Sequence, residues 1–442
     1  MKKMFVLIVF FTLFVYTGCS RIHDMEPSEN KGVQSSGNKG FLDDIAKPLI
    51  GKWKMIDIPG AYCSDGSQYK VFVMRSNGLF NWASGNDKKL AVFLEAGGAC
   101  WDYESCSGKS GIRGATNPNG VPDNYMNLGD AITGTGGSVN AAYSPLILRN
   151  DPMDKSIRTA DWNKVFLPYC TGDVHSGNKV SVYKDLSGNN PPLTYRHLGH
   201  KNIEKVIEYL KSHFYRPDEL LVTGASAGGT GALVNYHFFR KALNPKKSYL
   251  FNDSGPVFSA PGGTGYQNRL HQKIKAMWNI EYLLGQLKQD FAGFDIDNDL
   301  GLINEALAQK YPDDILALTV FVRDAVYSMY SYARFYGLDE NIPEQKEQVL
   351  QMWHEDLKNL MKTYQKYPNL LYFIPYCRNI LSSHTVATIE FKGTEIYSTK
   401  IDAGVFIDNL LNKQKYISYY EPYNSSDIYV TDFWLELANL FM

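Results

Sequence analysis

From about residue 46 onward the chain alternates two kinds of apolar pattern. Short runs rich in β-branched and aromatic residues end in turn-forming sequence and predict β-strands: Tyr69–Met74 (YKVFVM), Leu90–Leu94 (LAVFL), Val165–Leu167, Leu220–Thr223 (LLVT), Tyr249–Phe251 and Leu370–Ile374. Between them the period changes to that of a helix. Asn202–Leu210 sets Ile203, Val206, Ile207 and Leu210 at i, i+3, i+4 and i+7, and Ala227–Leu243 reads as a second helix. Strand and helix in alternation predict βαβ units, hence an α/β fold with a mostly parallel sheet and helices on both faces. Gln267 to about Gly337, and Glu344–Tyr364, read mainly helical and are expected as insertions over a site. No repeat recurs at solenoid periods.

The first residues follow another logic. Lys2 and Lys3 precede the apolar run Met4–Tyr16, and Thr17, Gly18 and Cys19 come next. A charged start, a short apolar stretch and small residues make a signal peptide, too short for the roughly 20 residues that span a bilayer. Small residues before a cysteine resemble the bacterial lipobox, so cleavage before Cys19 and lipidation of its sulfur are expected. Ser20 to about Lys39 is polar and reads as a tether. The expected organisation is a leader over 1–18, a tether over 19–45 and one folded domain over 46–442. The product would be exported and lipid-anchored in the cell envelope, meeting the membrane through that anchor only, and monomeric.

Charge and cysteine content narrow the function. The formal net charge of −1 leaves no electrostatic footprint for nucleic acid. With Cys19 set aside, Cys63, Cys100, Cys106, Cys170 and Cys377 remain, in a compartment where disulfides persist. Five is odd, so one thiol is expected to stay free. No pair has CxxC spacing, and neither a structural metal nor a cofactor is expected.

The sharpest chemical signal is Gly224-Ala225-Ser226-Ala227-Gly228, a G-x-S-x-G sequence between the LLVT strand and a helix. Such a turn exposes the serine hydroxyl above a helix N-terminus, where the dipole and the N–H of Ala227 favour negative charge. It predicts Ser226 as a nucleophile. A second oxyanion donor is expected in the turn after Leu90–Leu94, from the N–H groups of Gly97 and Gly98. The base should follow an acid that follows the serine. His237 sits too close after the serine, His271 lies in helical sequence, and His354 reads as a surface histidine. His384, in a loop after the Leu370–Ile374 strand, is the expected base. For the acid, Asp324 in VFVRDAVYSMY is favoured over Asp253 in NDSGP, and both stay open.

Three blocks in this order, EAGGACWDYESC, PYCTGDVHSG and GASAGGTGA, resemble the pectin acetylesterase and Notum family of α/β-hydrolase-fold esterases. CSDGS at Cys63–Ser67 and NDSGP at Asn252–Pro256 fit it too, and the likeness runs from about Gly60 to about Asn409. The resemblance implies an α/β-hydrolase-like domain with Ser226, Asp324 and His384 as triad and Gly97, Gly98 and Ala227 at the oxyanion. It implies pairing of Cys100 with Cys106 and of Cys63 with Cys170, leaving Cys377 free. Two departures stand out. Gly265–Leu318 matches poorly and should shape the substrate pocket, and the turn from Cys377 into His384 is longer than usual. Plant members deacetylate pectin, whereas Notum removes a fatty acyl group from a protein. The expected activity is therefore a metal-independent serine carboxylesterase acting on an O-acetylated polysaccharide. The alternatives are an esterase of longer acyl or lipid esters, and a non-catalytic glycan-binding protein of the same fold.

Overall fold

The protein was analysed as a computed structural model, which describes residues 53–76, 88–109, 111–127, 144–147, 159, 162–378, 381–412 and 416–422. The leader, the tether and Cys19 lie outside the described residues. In chain order the strands are β1 (Lys54–Tyr62), β2 (Gln68–Met74), β3 (Lys89–Leu94), β4 (Asn163–Leu167), β5 (Lys179–Tyr183), β6 (Leu193–His197), β7 (Glu219–Ala225), β8 (Lys247–Asp253), β9 (Ile315–Thr319), β10 (Leu370–Ile374) and β11 (Tyr419–Tyr420). The helices are α1 (Tyr103–Cys106), α2 (Gly199–Phe214), α3 (Ala227–Leu243), α4 (Asn268–Trp278), α5 (Glu281–Asp290), α6 (Ile303–Lys310), α7 (Ala325–Ser328), α8 (Arg334–Tyr336), α9 (Pro343–Tyr364) and α10 (Ala403–Asn412).

Nine strands form one sheet in the order β1-β2-β4-β3-β7-β8-β9-β10-β11, and β5 with β6 make a separate hairpin. β1, β2 and β4 pair antiparallel, and every pairing from β4 to β11 is parallel. Burial follows from the strand period of two. Leu220 and Val222, Leu316 and Leu318, and Leu370, Tyr372 and Ile374 face one core, which also takes Ile203 and Val206 of α2, Leu233 and Tyr236 of α3, and Trp353 of α9. Leu221, Ile315, Ala317, Leu371 and Phe373 face a second core with Phe406, Ile407 and Leu410 of α10. Both faces of the sheet are therefore covered, which is why its strands read as continuous apolar runs rather than alternating ones. The expected α/β fold is what the chain adopts.

Five strands escaped the pattern, namely β1, the β5–β6 hairpin, β9 and β11. β1 buries only Ile58 and Ala61 and carries Lys54, Asp57 and Pro59, the composition of a protected edge. β9 sits inside the stretch read as mainly helical. Its ILALT sequence is wholly buried, and a short apolar run cannot be told from a buried helical turn by periodicity. β9 matters because Asp324 follows it directly.

Candidate active site

Ser226 joins the end of β7 to the start of α3 with φ 54° and ψ −120°. The turn closes only because its flanks are bare: a Cβ on Gly228 would overlap the Leu94 carbonyl, and one on Gly224 the Gly228 carbonyl. The Ser226 N–H donates to the Asp253 carbonyl (2.7 Å), and the Ser226 carbonyl accepts from the Thr230 N–H (3.0 Å). Its hydroxyl is thus held by backbone at the N-terminus of α3, where unpaired N–H groups gather.

The turn after β3 brings Gly97 and Gly98 to the same place. Gly98 has φ 84°, and a Cβ there would overlap the Arg113 carbonyl, so only glycine fits. Among the described residues the N–H groups of Gly97, Gly98 and Ala227 meet no protein acceptor. Gly98 and Ala227 line the cavity that opens on Ser226, and Gly97 does not. The turn is braced from below by Glu95. Its carboxyl group accepts from the Tyr169 N–H (2.7 Å), the Tyr125 hydroxyl (2.5 Å) and Asn117 Nδ2 (3.2 Å). Burial pushes the Glu95 pKa up to about 8. His175, kept neutral by burial with a pKa near 4, donates from Nε2 to the Glu95 carbonyl (3.0 Å).

His384 and Asp324 meet directly. Nδ1 of His384 lies 2.8 and 3.0 Å from the two Asp324 carboxylate oxygens. Asp324 is fully buried and also caps α7, accepting from the Tyr327 N–H (2.8 Å). The Tyr327 hydroxyl bonds Thr230 of α3 (2.7 Å), and its ring faces His384 with centroids 6.4 Å apart. His384 Nε2 and Ser226 Oγ are not hydrogen-bonded to each other here, as is common before substrate tightens such a pair.

Asp253 does something else. Its carboxylate accepts from the N–H groups of Val386 (2.8 Å) and Ala387 (2.9 Å) and from the Thr319 hydroxyl (2.9 Å). It therefore ties the histidine loop to β8 and β9, while its own carbonyl holds Ser226. The other downstream histidines have separate duties. His237 is bonded to Asp290 and Tyr311 (2.8 Å each). His354, expected on the surface, is half-buried against the Tyr420 hydroxyl. His271 lines the cavity.

That cavity encloses about 110 Å³. Trp101, Phe258, Leu270, Ile274, Trp278 and Leu284 contribute apolar surface to its wall, Ser226, Ala227 and Gly98 lie at one end, and polar side chains such as Thr230, Gln267 and Tyr330 line it too. Of these six apolar residues only Trp101 belongs to a block singled out in the sequence. The rest comes from α4, α5 and the loop after β8, where the spacing of Leu270, Ile274 and Trp278 signals one apolar face but not what it covers. An open groove adjoins it across Trp101, bordered by Arg269, Lys273 and Arg334.

Cys63 pairs with Cys170 and Cys100 with Cys106. Cys377 is also disulfide-bonded, to a partner outside the described residues, and no described cysteine is free. The expectation of a free Cys377 is corrected: an odd count followed only from setting Cys19 aside. Among the described residues Cys100, Cys106 and His197 alone cluster closely enough to hold a metal. The two sulfurs are spent on each other, and His197 bonds the Thr171 carbonyl and the Tyr183 hydroxyl.

Comparison with known proteins bears on the family. A family model described as Pectinacetylesterase matches residues 143–287, which include Ser226. Pectin acetylesterase 5 of Arabidopsis thaliana is 28% identical over 267 residues, 59% of this chain and 52% of that one. Palmitoleoyl-protein carboxylesterase Notum of Mus musculus is 30% identical over 175 residues, 39% of this chain and 28% of the mouse protein. The chain thus matches about half the length of the plant relative and less of the mouse one. The solved structure of the Wnt deacylase Notum from Drosophila shares the fold, with a TM-score of 0.50 and 16% identity over 83% of this chain and 96% of that one. With the sheet order, the serine turn and the paired cysteines already in place, these matches support the resemblance of the chain to the pectin acetylesterase and Notum family.

Proposed function

We propose that the protein is a serine carboxylesterase that cleaves acyl esters of a glycan, with an acyl site larger than acetate needs. The observation that carries this reading is the junction of Ser226, two unoccupied N–H donors and a mainly apolar cavity. Ser226 Oγ attacks the ester carbonyl while His384 Nε2 takes its proton, and Asp324 holds Nδ1–H and steadies the imidazolium. The carbonyl oxygen becomes an oxyanion beside the N–H groups of Gly98 and Ala227, with Gly97 behind them. The alcohol leaves with the proton from His384. Water then takes the acyl group off Ser226 by the same steps reversed, so no cofactor enters.

The cavity bears on the substrate. A single water needs roughly 10–15 Å³ of such space, and an acetyl group has three heavy atoms. About 110 Å³ walled by Trp101, Phe258 and Trp278 suits a longer chain. The relatives' names span both cases, acetyl in the plant protein and palmitoleoyl in the mouse one. The open groove beyond Trp101 would receive the alcohol part, and its aromatic wall suits a sugar face.

Hydrolysis of 4-nitrophenyl esters from acetate to decanoate tests this directly. The value of kcat/KM is expected to rise from acetate to the middle of the series. A maximum at acetate would return the acyl site to O-acetyl groups. A fluorophosphonate should label Ser226 in the wild type and leave Ser226→Ala unlabelled. No label and full activity of Ser226→Ala would remove the mechanism.

A further inference from the structure

Several side chains in the cavity wall are polar, and one of them is a histidine. His271, on the first turn of α4, is 9% exposed and lines the cavity among Leu270, Ile274 and Trp278. Among the described residues its ring nitrogens meet no hydrogen-bond partner. The other buried histidines all do: His175 bonds the Glu95 carbonyl, His197 Thr171 and Tyr183, His200 Asn235, His237 Asp290 and Tyr311, and His384 Asp324. The His271 ring nitrogens are not among the fully buried unpartnered atoms, so they stay accessible, and an aliphatic chain packed over them would cover them without giving them a partner.

Resting on the esterase reading above, we infer that His271 is a specificity residue of the acyl site and that the preferred acyl group carries a hydroxyl. Burial pushes the His271 pKa down to about 3, with the Lys275 cation adding to it, so the ring is neutral at ordinary pH. A neutral imidazole offers one N–H and one lone pair. A hydroxyl both donates and accepts, so either tautomer can receive it. An aliphatic chain would leave the ring unpaired, and that difference is what a site built to bond a hydroxyl uses to discriminate.

The test uses the full chain and matched 4-nitrophenyl esters: octanoate against its mono-hydroxylated isomers, and cinnamate against 4-hydroxycinnamate. In the wild type at least one hydroxylated ester should exceed its plain partner in kcat/KM by about tenfold, the worth of one added hydrogen bond. The pair that shows it tells an aliphatic from an aromatic acyl group. In His271→Leu the ratio should fall to about one, and in His271→Gln, which keeps a donor and an acceptor, part of it should remain. Equal or inverted rates in every wild-type pair overturn the inference whether or not a variant folds. So does a folded His271→Leu that keeps the full preference. Failure of the esterase reading looks different: no ester is hydrolysed and Ser226 takes no fluorophosphonate.

Discussion

Ser226 occupies a backbone conformation, φ 54° and ψ −120°, that a non-glycine residue adopts only when its surroundings enforce it. The enforcement is visible in the Asp253 carbonyl, the Thr230 N–H and the bare flanks of Gly224 and Gly228. None of it uses the hydroxyl, which makes no hydrogen bond among the described residues. Ser226→Ala should therefore lose at least about a thousandfold in kcat, as removal of a triad member does, while its melting temperature stays within a degree or two of wild type. The two aspartates should separate in the same way. Asp324→Asn breaks the bond that fixes the His384 tautomer and should cost orders of magnitude in kcat, with little change in KM. Asp253→Asn turns an amide N–H₂ toward one of the two backbone donors, which costs about 1–3 kcal/mol of stability, and should reduce kcat less. Steady-state kinetics and thermal melts on both variants decide it, and the reverse ranking in kcat would make Asp253 the triad acid. Glu95 gives a pH signature. Its folded pKa, about 8, lies above the ordinary 4.5, so the native state holds a proton that the unfolded chain loses first. Stability from this site is full below about pH 4.5 and falls as pH rises through 8. Glu95→Gln, which mimics the protonated carboxyl, should flatten the decline of melting temperature between pH 6 and 9.

At the scale of elements, the site is a set of strand ends. β3 delivers the glycine turn, β7 the serine, β8 Asp253, β9 Asp324 and β10 the histidine loop, all at the C-terminal edge where such sheets bind ligands. Much of this can be read from the chain because local chemistry dictates it. G-x-S-x-G needs a strand before it and a helix after it, and Gly97-Gly98 after a strand can only be a tight turn. What could not be read depends on distant packing. β9 looked helical because five buried residues carry no period. Asp253 looked like an acid because its true partners, Val386 and Ala387, lie 133 and 134 residues away. The cavity wall came from α4 and α5, whose apolar faces are plain in sequence while their destination is not. The disulfides act at this scale too. Cys63–Cys170 closes a separation of 107 residues between the edge hairpin and β4, and Cys100–Cys106 closes 6 around α1. In the loop-closure picture the long link is worth several kcal/mol and the short one less. Replacing Cys63 and Cys170 by serine should lower the denaturant midpoint clearly more than replacing Cys100 and Cys106. The second pair should tell mainly on activity, because it anchors Trp101 at the cavity mouth. Equal losses of stability would refute the ordering.

For the whole molecule the first nineteen residues bear on where the protein works. Lys2 and Lys3, a thirteen-residue apolar run from Met4 to Tyr16, and Thr17-Gly18-Cys19 suit export and then lipid attachment, not a membrane-spanning helix. Among the described residues no helix is long and apolar enough to cross a membrane. The two described disulfides fit an oxidising compartment. A lipid at Cys19 followed by about twenty-five tether residues would let the folded domain range some 25–30 Å from the bilayer as a flexible coil, far enough for the groove at Trp101 to meet a polymer that cannot enter the membrane. The expected outcome is that a radiolabelled or alkyne fatty acid is incorporated into the wild-type protein and not into Cys19→Ala. The variant should leave the membrane fraction while keeping its kcat on a soluble 4-nitrophenyl ester, because the anchor takes no part in the chemistry. A sulfur that carries a thioether lipid has no thiol left to oxidise and cannot also be the disulfide partner of Cys377, so peptide mapping of Cys377 in the same samples decides between the lipid and the disulfide. Equal label in the two chains, or a wild type without label whose Cys19 maps to a disulfide, would overturn the anchor and leave the esterase proposal standing.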